Sequence, residues 1–359
     1  MVKYVRLVII IAGILLVLAL IPAAFLFWIS ANEYRPASRE PVSVIKSPPL
    51  LPLAGTPIEL YSWNIGYASL DMSQDFFMDG GRGVRPATGR NVEENIWAIQ
   101  AFLSTSAPDI VFLQEVDVNS KRSYGVDQAG YFSETWKGSS AFACNFKVKF
   151  IPYPVPHFIG GVESGILTLS NYAVLQAERI SLPTSFEWPV RAAQLKRCLL
   201  VERVPLQTEG DDPAQLVLVN VHLDAYDSDG EGREAQTRVL REFLEAEYSK
   251  GNYCVAGGDF NQNFPGAEER YPLIHTEYFI PGTLDPAQFG EGWIFAADPS
   301  SPSCRLLNEP YDGNREGKQF YLIDGFIVSP NVEVLSVQTI DLDFKNSDHN
   351  PVKLTFLLK

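Results

Sequence analysis

Eight short runs rich in aliphatic, β-branched and aromatic residues recur along this chain: "IELYSW" (58–63), "DIVFLQE" (109–115), "GILTLS" (165–170), "LLVERV" (199–204), "QLVLVNVHL" (215–223), "YCVAGGD" (253–259), "FYLIDGFIV" (320–328) and "VKLTFLL" (352–358). Runs of this length and character predict strands, and several lack the polar alternation of a half-exposed sheet, which predicts burial on both faces. Two stretches have helical spacing instead. Asn91 with Glu94 forms a capping-box-like start to "VEENIWAIQAFLS", where Ile96, Ile99 and Leu103 share a face. Residues 231–249 put Val239, Leu240, Phe243 and Leu244 on one face and end before Gly251. Strands alternating with helices, followed by hairpins, predict sheets packed together and flanked by helices.

The strand runs share a second property, which is that they end in polar residues a core has no use for. "YSWNIG" ends in Asn64, "VFLQEV" in Glu115, "LVNVHL" in His222 and "GGDFN" in Asp259 and Asn261, while "YLIDGFIV" carries Asp324 inside an apolar run and "NSDHNPV" adds Asp348 and His349. Each alone has an ordinary explanation as a turn former, a satisfied buried acid or a core histidine. Asp259 and Asn261 would converge on one spot if the backbone stayed extended. Grouped around a cation, such groups recover the cost of burial. The ligands are hard oxygens, which suits Mg²⁺, Mn²⁺ or Ca²⁺ rather than zinc. Cys144, Cys198, Cys254 and Cys304 are widely spaced with no C-x-x-C pair, which argues against a zinc site and favours free thiols. Two histidines beside such a cation can carry protons and stabilise charge near neutral pH. The combination points to hydrolysis of a phosphate ester.

The first thirty residues are of another kind. Leu7 to Ile29 runs 23 residues without a charge, more than the roughly 20 a membrane-spanning helix needs. A secretory signal has a shorter apolar region and a small-residue cleavage site, and "ISA" before Asn32 is a poor one. Residues 1–31 therefore read as an uncleaved anchor, and Lys3 and Arg6 ahead of it leave the N-terminus cytoplasmic and the rest outside. Residues 32–56, rich in proline, read as an extended tether, with the catalytic domain over 57–359. Residues 1–56 carry five Lys and Arg against Glu33 and Glu40, a net of +3, so with −14 for the whole chain the remainder carries −17. Polynucleotide binding rests on basic patches, so this balance disfavours nucleic acid as a partner.

The motifs "SWNIG", "LQEV", "NVHLDA", "GGDFN", "LIDGFIV" and "SDHNPV", in that order, resemble those of the endonuclease/exonuclease/phosphatase superfamily, which includes nucleases, neutral sphingomyelinases and inositol-polyphosphate 5-phosphatases. The resemblance covers roughly 57–359 and implies a four-layer αββα sandwich of two mixed β-sheets with flanking helices. It also implies roles. Asn64 and Glu115 hold the metal, Mg²⁺ or Mn²⁺, with Asp348 touching or supporting it. Asp259 activates or orients the attacking water, and Asn261 helps to place it and the phosphate. His349 transfers a proton with Asp324 fixing its tautomer, and His222 donates to a phosphate oxygen. Where relatives often read "LSR" this chain has Leu169-Ser170-Asn171, which removes one phosphate-facing arginine; Arg197, or Arg85 and Arg90, could supply the cation. His157 and His275 match no motif and read as structural. The expectation is a membrane-anchored, metal-dependent phosphoesterase acting on a phospholipid head group or a small phosphate ester, with a nuclease as the alternative and a non-catalytic surface binding protein as the second. No protein partner is inferred.

Overall fold

The computed structural model describes residues 2–207, 214–225 and 230–359. Among these residues, two seven-stranded mixed sheets stack face to face. The first runs, in spatial order, Arg39–Val42, Gln176–Ser181, Cys198–Pro205, Gln215–His222, Tyr253–Asp259, Asp324–Val328 and Ile294–Ala296. The second runs Val332–Thr339, Val352–Leu358, Ile58–Asn64, Ile110–Asp117, Gly160–Ser170, Ser139–Ile151 and Val44–Ile45. Each sheet has one parallel pair near its middle, Gln215–His222 beside Tyr253–Asp259 and Ile58–Asn64 beside Ile110–Asp117. A parallel pair needs a long crossover. The helices Glu231–Tyr248 and Gly89–Ser106 supply the two crossovers.

Period-two alternation sorts each central strand between two neighbours. Val217, Val219 and Val221 face Leu240, Phe243 and Leu244 of the outer helix, whereas Leu216 and Leu218 meet Ile58, Leu60, Ile110 and Phe112 of the opposite sheet. Trp63, Val111 and Leu113 likewise pack on Val92, Ile96, Ile99 and Leu103 of the other helix. The result is the expected four-layer sandwich. The helix Gly89–Ser106 has Thr88 as N-cap, three residues ahead of the expected cap at Asn91. Asn91 lies inside the first turn and accepts from Thr88 Oγ1 at 2.7 Å instead of capping.

Along the face between the sheets the side chains change from apolar to polar. The series Ile58, Leu60, Ser62, Asn64 is matched by Ile110, Phe112, Gln114, by Leu216, Leu218, Asn220, His222 and, along Asp324–Val328 read backwards, by Val328, Phe326, Asp324. Gln114 Nε2 donates to Asn220 Oδ1 at 2.8 Å, and Asn220 Nδ2 donates to the Leu167 carbonyl at 3.0 Å. These bonds pair both amide nitrogens and the Asn220 oxygen and join the sheets beneath the polar end, while Gln114 Oε1 is buried without a hydrogen-bond partner among the described residues. Gly258 has φ +151°, and a Cβ there would lie 1.9 Å from the Val221 carbonyl oxygen. Only glycine lets the two parallel strands run this close where Asp259 and His222 pair.

The Pro-rich segment is not a free tether. Arg39–Val42 adds an edge strand to one sheet against Gln176–Ser181, and Val44–Ile45 adds one to the other beside Ala141 and Ser140. Proline is tolerated at a sheet edge, which is where Pro41 sits. Ahead of these strands lies the helix Val2–Ala31, whose most apolar 18-residue stretch has a mean hydropathy of 3.1, and only residues 32–38 separate its end from the sandwich. All four cysteines are free.

Glu202 is fully buried between the sheets, neither carboxylate oxygen has a hydrogen-bond partner among the described residues, and burial pushes its carboxyl up to about 8. Above pH 4.5 the unfolded chain loses this proton while the folded chain keeps it, so stability falls as pH rises towards 8. Glu202→Gln removes that loss. Unfolding in urea should show the variant gaining on the order of 3 kcal/mol over the wild type between pH 5 and pH 8, at about 1.4 kcal/mol per pKa unit. Parallel pH profiles would mean that Glu202 is ionised in the folded chain.

Candidate active site

The polar ends of the strands meet at one end of the sandwich and form the floor of a cavity of about 640 Å³. Asn64, Glu115, His222, Asp259, Asn261, Asp348 and His349 all line it. Asn64 ends its strand and donates from Nδ2 to Asp259 Oδ2 at 3.0 Å and to Glu115 Oε1 at 3.5 Å, while its Oδ1 accepts from the Gly66 amide at 3.0 Å. Strand alternation alone would turn Glu115 towards the outer helix, beside Leu113. A bulge between Leu113 and Val116 instead places Glu115 at φ 54° and turns it to the cavity. Left-handed backbone in a non-glycine residue costs free energy and tends to mark functional sites.

The Asp259–Asn261 pair combines a turn with a site. Asp259 closes its strand and Asn261 has φ 51°, so the backbone is not extended as the i, i+2 reading assumed. Asp259 Oδ1 accepts from the Asn261 amide at 2.9 Å, and Asn261 Nδ2 donates to the Leu223 carbonyl at 2.9 Å. Both side chains still line the cavity, since the turn folds Asn261 back over the strand end.

The two histidines stand in different electrostatic surroundings. His349 Nδ1 lies 2.8 Å from Asp324 Oδ2, leaving Nε2 3.8 Å from Asp259 Oδ2 and 4.0 Å from Asp348 Oδ2. Burial opposes charge on this ring, but Asp324 outweighs it and raises the imidazole well above its ordinary value. Burial lowers His222 well below that value, with Arg197 reinforcing the shift, so His222 is neutral at pH 7. Its Nε2 lies 3.4 Å from Asp259 Oδ2 and 3.9 Å from Glu115 Oε1.

Of the candidate cations, Arg197 lines this cavity. Its Nε donates to Asp224 Oδ1 at 3.0 Å, and its buried Nη1 has no hydrogen-bond partner among the described residues. Arg85 is exposed over the Tyr124 ring at 5.5 Å, and Arg90 pairs with Glu94 on the helix surface; neither lines the cavity. Asn171 sits at the far end of the sheet, where Ile110 pairs with Ser170, and bonds the Pro108 carbonyl. An arginine at that position would not face this site. His157 is exposed and His275 pairs with Glu277, both outside the cavity.

Residues 61–349 match the profile of the Endonuclease/Exonuclease/phosphatase family. The chain belongs to that family. The family's name spans nucleases and phosphatases, enzymes that hydrolyse phosphate esters. Among solved structures, the fold resembles an endonuclease/exonuclease/phosphatase from Beutenbergia cavernae DSM 12333 (TM-score 0.56, 18% identity, 84% of this chain and 72% of that one). It also resembles a family protein from Bacteroides thetaiotaomicron (TM-score 0.51, 16% identity, 85% and 98%). A third is D. rerio TDP2 complexed with single strand DNA product (TM-score 0.51, 16% identity, 84% and 99%). No curated protein sequence matches the chain.

The fold also gives roles to residues that the sequence reading did not single out, most of them inside the motifs. Ser347 Oγ donates to the Asn64 carbonyl at 2.7 Å and Trp63 Nε1 to the His349 carbonyl at 2.8 Å, which fixes the C-terminal motif to the first strand. Asp224, inside "NVHLDA", orients Arg197, and its place in that motif was the one available signal. Cys304 pairs with His349 across an isolated bridge, and burial pushes its thiol up to about 12.

The donor set fits a hard divalent cation. Glu115, Asp259 and Asp348 line the cavity, and Asp324 lies behind them beside Asp259 and His349, with its Oδ1 buried without a hydrogen-bond partner among the described residues. Burial, then Asp324, pushes Asp259 up to about 7; burial, reinforced by Glu115, pushes Asp348 up to about 6. Such crowding of oxygen ligands is relieved by Mg²⁺ or Mn²⁺.

Proposed function

We propose that the chain is a membrane-anchored, divalent-metal-dependent phosphoesterase of this family, acting on an amphiphilic phosphate ester such as a phospholipid head group. Asn64 and Glu115 hold Mg²⁺ or Mn²⁺, and Asp348 supports it. The chemistry such an ion supplies is Lewis-acid polarisation of a phosphoryl oxygen. Asp259 accepts the proton of the attacking water, and Asn261 keeps that carboxylate in place through its backbone amide. Neutral His222 donates from Nε2 to a non-bridging phosphate oxygen, and Arg197 adds a fixed positive charge beside it. His349, kept protonated and oriented by Asp324, delivers a proton from Nε2 to the leaving-group oxygen as its bond to phosphorus breaks.

The observation that carries the substrate class is the contrast between floor and walls. Above the charged floor stand Phe76, Phe77, Met78, Phe146, Ile151 and Ile159. An apolar wall over a phosphate-sized polar floor suits an ester with a hydrocarbon part. A nuclease is the second reading, for which the relative solved with single strand DNA product is the precedent. The deciding experiment offers the full chain, in detergent micelles with Mg²⁺, a phospholipid, a lysophospholipid, inositol phosphates and single-stranded and duplex DNA. Turnover of DNA alone would reverse the order of the two readings, and turnover of none would favour a binding protein. The helix Val2–Ala31 anchors the chain with the sandwich outside the cytoplasm, and Lys3 and Arg6 support that orientation. Protease added to intact cells should therefore digest the sandwich; protection would invert the topology.

A further inference from the structure

One cluster of side chains forms both a wall of the cavity and the seat of the N-terminal helix. Phe25 and Ile29 pack on Phe146, Val148, Val162 and Ala192, and Phe146 also lines the cavity. Trp188 Nε1 donates to Ser30 Oγ at 2.9 Å, and Glu33, just past the helix, is held by Arg191 and Lys196 at 3.1 Å each. The helix therefore leaves the sandwich at the cavity rim. Around this exit the rim projects Tyr153, Val155, Trp188 and Val190, which are 60%, 74%, 56% and 52% exposed. On the other side of the exit, Asn32 and Tyr34 share a cleft with Lys121, Lys147 and Lys149, a cationic spot in a chain of net charge −14. Of these lysines, Lys147 is paired with Glu163 at 2.6 Å.

Water-exposed apolar side chains in one place mark a contact surface. Trp and Tyr settle at the headgroup level of a bilayer, and lysines settle on anionic headgroups. What covers this rim follows from the helix itself: a span that ends at Ala31, seated on the rim, brings its own bilayer to the same surface.

We propose that the cavity rim is a second membrane contact. Tyr153, Val155, Trp188 and Val190 lie in the headgroup layer of the bilayer that holds the N-terminal helix, with Lys121, Lys147 and Lys149 on its anionic lipids. The cavity then opens onto that bilayer and takes its ester from the same membrane. The substrate half of this proposal rests on the phosphate-ester reading above, and the contact rests on the anchoring of Val2–Ala31 in a bilayer proposed with it.

The contact is tested on the full chain in nanodiscs of phosphatidylcholine and phosphatidylserine, with and without lipids brominated near the headgroup end of their chains. Subtracting the emission of Trp188→Phe isolates Trp188 from the other tryptophans, Trp28 among them. At least a third of that difference signal should be quenched, and more with phosphatidylserine than without; no quenching would overturn the contact, and indifference to phosphatidylserine would overturn the lysine part. For same-membrane access, Val155→Asp and Trp188→Asp should each lower hydrolysis of vesicle phospholipid at least tenfold while leaving a water-soluble short-chain ester unaffected. Wild-type rates on vesicles would overturn access from the membrane. Failure on both ester types by the wild type would instead sink the phosphoesterase reading, while the quenching still decides the contact.

Discussion

Glu115→Gln is expected to lower kcat/KM by about 10³-fold or more while leaving the fold as stable as before or slightly more so. The substitution preserves size and removes one charge from a hard-oxygen set whose other members, Asp259 and Asp348, are already pushed up to about 7 and about 6 by burial and by neighbouring carboxylates. A neutral amide binds Mg²⁺ poorly. Its loss also relieves repulsion in the unloaded site, so thermal unfolding should shift by less than about 1 kcal/mol, or upwards. The bulge that carries Glu115 at φ 54° is set by the pairing of Ile110–Asp117 with Gly160–Ser170 and does not depend on the carboxylate. Chelation by EDTA should silence the wild type to the same degree. Parallel loss of stability and activity in the variant would identify Glu115 as a structural acid, and full activity in EDTA would remove the metal from the mechanism.

Asp324→Asn and His349→Ala should each cost about 10²–10⁴-fold in kcat/KM, and the double variant little more than the worse single. The reason is the 2.8 Å contact between His349 Nδ1 and Asp324 Oδ2, which makes the acid and the ring one unit that presents Nε2 to the cavity. His222 stands apart from Asp324 and is neutral, with burial and then Arg197 holding its pKa down. It acts on phosphate charge as a separate contribution, so His222→Ala combined with His349→Ala should come closer to additive. Coupling between His222 and Asp324, with additivity between Asp324 and His349, would assign the acid to the other histidine.

The strand runs, the two crossover helices and the polar residues at the strand ends could be read directly from local pattern. Periodicity is set by the backbone, and an Asn, Asp or His closing an apolar run stands out because burying it costs free energy. That is why Asn64, Glu115, His222, Asp259, Asn261, Asp324, Asp348 and His349 could be named before their distances were known. The rest depends on pairing between distant segments. Arg197 belongs to the site because Asp224 orients it, while Arg85, in an equally basic stretch, rests on Tyr124. Glu115 faces the cavity only because of a bulge against a strand some fifty residues away. Residues 39–45 look like linker because an edge strand needs no apolar face of its own; partners in both sheets hold them. The apolar wall above the polar floor, and the seat of the N-terminal helix on it, join residues 25–29, 146–162 and 192–195. No window of sequence contains that surface, since local pattern specifies which face of an element is apolar and only packing specifies what that face meets.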